Sequence, residues 1–163
     1  MKSCILFAGP AGCSKTPTAF YLSCHLHLPI FSNDAIRTEV AEDLDEFNED
    51  EYIKRRDDRL KEIIESGTSF ICDASIDREY KRIKGALAKQ GYQKKIISFD
   101  LSKSFLEKLY RAKNYTAFDN IEGWLADHNQ FLKEYGQEVD LHITDENFSD
   151  RLKLSLAAAI GNN

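Results

Sequence analysis

Five short apolar runs punctuate the chain: SCILFA (residues 3–8), PIFS (29–32), SFICD (69–73), KIISFD (95–100) and VDLHI (139–143). Their brevity and their Ile, Phe and Val content are those of strands buried in a parallel sheet. Between them, apolar residues return at helical spacing. Ala19, Leu22 and Leu26 share a face, as do Ile53, Leu60, Ile63 and Ile64, and then Tyr80, Ile83 and Leu87. Ile121, Trp124, Leu125, His128, Phe131, Leu132 and Tyr135 form the cleanest stripe, and Phe148, Leu152, Leu156 and Ile160 form the last. Alternation of strand and helix predicts an α/β sheet with helices on both faces and right-handed crossovers. The segment NYTAFDN (114–120) interrupts two helical patterns and carries Asn and Asp turn chemistry, so it is expected to be a mobile loop.

No repeat, low-complexity tract or linker divides the 163 residues, and a single domain over 1–163 is expected. With 42% hydrophobic and 30% charged residues the composition is that of a soluble globular protein. No apolar run is long enough to span a bilayer, so no membrane partner is expected. The opening MKSCILFAG is too short and too soon interrupted for a secretory signal, which gives a cytoplasmic expectation. Cys4, Cys13, Cys24 and Cys72 have neither a C-x-x-C nor a Cys/His zinc spacing and read as buried reduced thiols.

The net charge of −5 argues against a broad nucleic-acid surface, but the charge is uneven. EDLDEFNEDE (42–51) is acidic, whereas Arg78, Lys81, Arg82, Lys84, Lys89, Lys94 and Lys95 crowd one later stretch. Such a basic run either faces an anion or is a solvated face.

The candidate chemistry lies in GPAGCSKT (9–16). A phosphate-binding loop reads Gly, four residues, Gly, Lys, then Ser or Thr, between a strand and a helix. Gly9, Lys15 and Thr16 fit this pattern, the flanking context is present, and Ser14 stands where the second glycine belongs. Backbone N–H groups of Ala11, Gly12, Cys13, Ser14, Lys15 and Thr16 would surround a phosphate at the positive end of the helix. Lys15 would bridge the terminal phosphates and the Thr16 hydroxyl would hold Mg²⁺. At negative φ the Ser14 Cβ should cost little; at positive φ it should cost on the order of 1 kcal/mol. Pro17 is tolerated in a first helical turn.

After the second apolar run, Asp34 has two readings: a helix N-cap, or a general base for a hydroxyl substrate. Arg37, one turn on, would share its face and hold an anionic group. Gly9 to Thr16, then Asp34-Ala-Ile-Arg37, then FICDAS ending the third strand resemble the P-loop kinases related to polynucleotide kinase and zeta toxins, small ATP-binding proteins often labelled AAA-type. DASIDREYKRIKGALAKQGY and FDLSKSFLEKLYRAKN extend the likeness over nearly the whole chain.

The resemblance implies a three-layer P-loop NTPase fold with a five-stranded parallel sheet of adenylate-kinase type. It implies transfer of the ATP γ-phosphoryl group to a hydroxyl. Lys15 and Thr16 would engage ATP–Mg²⁺, Asp34 would be the base, and Arg37 would bind the acceptor. Arg111 would be the lid arginine, with the lid around 111–121. Asp73, at the end of an apolar run, would hold Mg²⁺ through water, or merely terminate the strand. The chain departs from the pattern at Ser14 and in the single lid arginine, for which Lys113 is an imperfect substitute because it lacks the guanidinium fork. The rival reading is a nucleotide-binding module with little or no phosphotransferase activity. A nucleic-acid end is a possible acceptor that the acidic charge disfavours.

Overall fold

The computed structural model describes residues 1–161. Its strands are β1 (Ser3–Ala8), β2 (Ile30–Ser32), β3 (Phe70–Ser75), β4 (Gln93–Asp100) and β5 (Leu141–Thr144), and its helices are α1 (Lys15–Leu26), α2 (Asn33–Leu44), α3 (Glu49–Ser66), α4 (Tyr80–Lys89), α5 (Lys103–Ala112), α6 (Ile121–Tyr135) and α7 (Arg151–Ile160). The five strands are all parallel, in the order β2-β3-β1-β4-β5. From β1 the chain first builds toward β2 and β3, then crosses to β4 and β5. α1, which leaves β1, and α4, which leaves β3, pack on opposite faces, so the connections diverge between β1 and β3, the crevice where open α/β sheets place their ligands.

Side chains alternate across the sheet. On one face Cys4, Leu6, Phe70 and Cys72 pack against Val40, Leu60, Ile64, Ile83 and Leu87 from α2, α3 and α4. On the other, Ile5, Phe7, Ile97 and Phe99 pack against Ala19, Leu22, Leu106 and Tyr110 from α1 and α5, with Leu154 and Leu156 of α7 alongside. The two faces meet at α6, whose Ile121 joins the second cluster and whose Phe131 joins the first. All seven predicted stripe residues of α6 are buried or half-buried.

Several expectations are corrected. On α3, Tyr52 is buried while Ile53 is 38% exposed, because the first turn closes against α2 through the Tyr52 ring. Ile160 is exposed; Phe148 and Leu156 pack as expected, and Leu154 and Ala159 join them beside buried Ser155. Cys24 is exposed; the other three thiols are buried. β3 does not stop at Asp73. It runs on to Ser75 through an irregularity in which Leu6 pairs with Cys72 but Phe7 with Ser75. A bulge of this kind re-aims the side chains within it, here Asp73 and Ala74.

The basic stretch is mostly neutralised from within. Arg78 pairs with Asp127, Arg82 with Glu79 and Asp57, Lys84 and Lys94 with Glu138, and Lys95 with Asp140. Part of the acidic stretch is likewise engaged: Asp43 and Glu51 both meet Arg55, which also meets Glu39. Among the described residues no helix is long and apolar enough to cross a membrane.

Candidate active site

β1 delivers the chain to the loop at residues 9–14, and α1 begins at Lys15. Two glycines are required there by geometry. Gly9 has φ +133°, and a Cβ on it would lie 2.9 Å from Phe99 Cβ. Gly12 has φ +73°, and a Cβ would lie 2.5 Å from the Tyr110 ring. Tyr110 in turn donates its hydroxyl to the Ala11 carbonyl at 2.8 Å, and burial pushes its pKa up to about 12, so it remains a donor. Cys13 is fully buried, and burial pushes its thiol pKa up despite nearby Lys15.

Ser14 takes the strained alternative. Its φ is +86°, in the left-handed region, at the cost of about 1 kcal/mol for an L side chain. It is 5% exposed, and its hydroxyl accepts from Arg151 Nε at 2.9 Å. The Lys15 ammonium folds back over the loop, donating to the carbonyls of Gly9 (2.8 Å) and Pro10 (2.6 Å). It also donates to the Cys13 sulfur at 3.6 Å, so all its partners here are neutral.

Thr16, in the first turn of α1, donates its hydroxyl to Asp73 Oδ1 at 3.1 Å. Two residues 57 apart are thereby joined at the mouth of the loop. Burial raises the Asp73 pKa; the Thr16 hydrogen bond opposes that rise and the neighbouring Asp34 charge adds to it. Thr16 and Asp73 offer hard oxygen donors, the chemistry that suits Mg²⁺, which takes one or two carboxylates and completes its shell with water and substrate phosphates. Among the described residues no His/Cys/Asp/Glu group forms a metal cage without substrate.

Asp34 is not the cap of α2. Ser32 does that work, its side chain accepting from Ala35 N at 3.4 Å. Asp34 is exposed in the first turn, free of the capping role and favoured there by the helix dipole. Beside it, Asn33 Oδ1 is buried without a hydrogen-bond partner among the described residues. Arg37 lies away from Asp34: its guanidinium stacks 4.1 Å from the Tyr52 ring centroid and reaches Glu49 at 4.0 Å. Arg111 makes no contact with the loop among the described residues and lies over the Phe118 ring. Its side chain is 67% exposed and faces Glu107 at 3.6 Å. Lys113 reaches the loop in its place, donating to the Gly12 carbonyl at 2.7 Å. Residues 113–120 form a turn, a short irregular piece and a 3₁₀ turn at Phe118–Asn120.

Sequence reasoning missed a buried polar chain next to the loop. Gly9 N–H donates to Asp77, whose Oδ1 lies 3.2 Å from His128 Nδ1. His128 Nε2 lies 2.9 Å from Asp100 Oδ1, and Asp100 also meets Ser98 and His142. Burial opposes charge on His128, but hydrogen bonds to Asp100 and Asp77 outweigh it and push the pKa up to about 9. Both ring nitrogens then donate, so the imidazolium ties α6 to the first glycine of the loop. A cleft of about 460 Å³ opens beside it, between α6 and the ends of β4 and β5. Only the position of His128 on an apolar stripe hinted at this.

No protein-family model matches the chain, and no curated protein sequence matches it. Solved structures do. The gluconokinase of Sinorhizobium meliloti is similar with a TM-score of 0.62 at 14% identity, over 96% of this chain and 90% of that one. The APS kinase CysC of Mycobacterium tuberculosis, solved with AMPPNP and APS, is similar with a TM-score of 0.63 at 15% identity, over 98% of each chain. A chain of the PezAT chromosomal toxin–antitoxin system of Streptococcus pneumoniae is similar with a TM-score of 0.62 at 16% identity, over 90% of this chain and 69% of that one. The fold is that of the P-loop kinases. The spread of these neighbours does not single out the polynucleotide kinase and zeta toxin type.

Proposed function

We propose that the protein is an ATP-dependent phosphotransferase that moves the γ-phosphoryl group of ATP to a hydroxyl of a small molecule. The observation that carries this reading is the joining of Thr16 to Asp73 beside a glycine-shaped loop whose lysine has only neutral partners among the described residues, two carbonyls and the Cys13 sulfur. Residues 9–16 would cradle the phosphates with backbone N–H groups, and Lys15 would exchange its carbonyl contacts for phosphate oxygens. Thr16 and Asp73 would hold Mg²⁺, which supplies charge neutralisation of the β- and γ-phosphates when bound.

Asp34 is the base in this reading. It lies close enough to Asp73 to raise that carboxyl's pKa, and it is not used as a cap. Asn33 Oδ1, a buried acceptor without a donor, suits a second hydroxyl of the acceptor. Arg37 would leave its Tyr52 stack to bind an acidic acceptor group. Arg111 would reach the phosphates only with movement of residues 111–121, whereas Lys113 is already at the loop. The internal pairing of most of the basic stretch lowers the free positive charge it could offer to a polynucleotide, and so favours a small acceptor. The family implied by the sequence also includes polynucleotide and toxin-type kinases, and oligonucleotide ends belong in the screen as the disfavoured class.

The test is transfer of labelled γ-phosphate to a panel of sugars, nucleosides, hydroxy acids, antibiotics and oligonucleotide ends, in wild type and Asp34→Asn. The variant should bind ATP normally and transfer phosphate at least about 100-fold more slowly. Tight ATP binding with no transfer to any acceptor would favour the nucleotide-binding module instead.

A further inference from the structure

Three cations converge on the loop at residues 9–14, and none has a carboxylate. Lys15 donates to the Gly9 and Pro10 carbonyls, Lys113 to the Gly12 carbonyl, and Arg151 to Ser14 Oγ and the Phe148 carbonyl. Among the described residues none of the three forms an ion pair. For Arg151 this is an exception: among the described residues the other seven arginines, Arg37, Arg55, Arg56, Arg59, Arg78, Arg82 and Arg111, each meet an Asp or Glu. Like charges held together in a half-buried place repel. Burial lowers the Lys113 pKa, and the Arg151 and Lys15 charges lower it further. No carboxylate closes on any of the three within ion-pair distance among the described residues, and the loop they surround leads into the N-terminus of α1, where anions are favoured.

Lys15 belongs to the loop motif and Lys113 to the lid region. Arg151 belongs to neither, standing 137 residues from Ser14 at the start of α7. Its orientation is fixed from three directions. Nε donates to Ser14 Oγ at 2.9 Å, Nη1 donates to the Phe148 carbonyl at 3.1 Å, and the guanidinium lies 4.3 Å from the Phe148 ring centroid. The Phe148 ring is itself held edge-on by Phe105 at 4.9 Å. A guanidinium has five N–H donors. Two of those on Arg151 are used, and the others have no protein acceptor among the described residues.

We propose that Arg151 is a polyphosphate-binding residue, its free guanidinium edge taking a phosphate oxygen of the nucleotide, and that Ser14 replaces glycine because its hydroxyl aims that edge. The inference rests on the phosphate-loop reading. It explains why a strained serine is kept where glycine would be unstrained. It also supplies a planar, forked cation from the α7 side that the lid, with Arg111 turned away, does not.

Calorimetric titration with inorganic tripolyphosphate and with ATP, on the whole chain, tests it in wild type, Arg151→Ala, Arg151→Lys, Ser14→Gly and the Ser14→Gly/Arg151→Ala pair. Arg151→Ala should weaken both ligands roughly tenfold or more, and Arg151→Lys should recover part of the loss, keeping charge without the fork. Adenosine affinity should be unchanged, which a merely structural role for Arg151 would not spare. Ser14→Gly alone should weaken both polyphosphates, and Arg151→Ala should cost less in that background than in wild type, because the hydroxyl that aims the guanidinium is gone. Wild-type affinity in Arg151→Ala, or wild-type affinity in both Ser14→Gly and the double variant, would overturn the proposal and leave Arg151 as a brace for Ser14. Failure of wild type itself to bind either polyphosphate would instead overturn the phosphate-loop reading.

Discussion

At the residue scale, the loop depends on what each position does with a Cβ. Gly12 has none, and the space is filled by Tyr110, which also ties the loop through Ala11. Gly12→Ala should therefore destabilise the fold by roughly 1–3 kcal/mol, through overpacking and a left-handed φ. A urea melt indistinguishable from wild type would show that Tyr110 moves aside freely. Ser14 shows the limit of sequence: the type of residue was legible, its φ was not. Only the fold reveals that the left-handed turn was retained and that Arg151 sits on the hydroxyl. Asp34 is a second case. From sequence its carboxylate read equally as cap or base, and Ser32 settles the capping half by being placed one residue before α2.

At the scale of elements, α6 joins the two faces and carries a charged side chain in its apolar stripe. His128 is 2% exposed with a carboxylate at each ring nitrogen. His128→Leu would strand two carboxylates beside the loop and should cost about 3 kcal/mol or more. The pH dependence follows from the sign of the shift. A pKa pushed up from 6.5 to about 9 means that the folded state holds the proton more tightly than the unfolded chain. This stabilisation is complete below pH 6.5 and is lost as pH rises through 9. Denaturant midpoints measured from pH 6 to 10 should fall across that window in wild type and stay flatter in His128→Leu; parallel curves would mean His128 is neutral in the fold. The strands were legible because buried parallel strands have a dense apolar signature. The Asp77–His128–Asp100 chain was not, because its members come from three separate segments and none has a motif. Tyr52 displaced Ile53 for a similar reason: the partner that decides the face, Arg37 on α2, is not local.

At the scale of the molecule, charge that looks segregated along the chain is paired in space. Glu138, just before β5, gathers Lys84 from α4, Lys94 from β4 and the Tyr80 hydroxyl. Burial works against its ionisation, but the two lysines and Tyr80 prevail and its pKa falls to about 2. Its stabilisation is present above pH 4.5 and is lost as pH falls toward 2. Glu138→Gln should remove roughly 1 kcal/mol at neutral pH, after allowance for solvent screening, and blunt the acid limb of the stability curve. An unaltered acid limb would place that pH dependence elsewhere. The parallel sheet, the helices on both faces and the loop after β1 together put Lys15, Thr16 and Asp73 at one crevice. The claim on which the functional account stands is that this crevice binds a nucleoside triphosphate. Titration of ATP with Mg²⁺ into wild type and Lys15→Ala tests it most directly. The account predicts saturable one-site binding that weakens at least about tenfold without the lysine; equal affinity in the two proteins would contradict it.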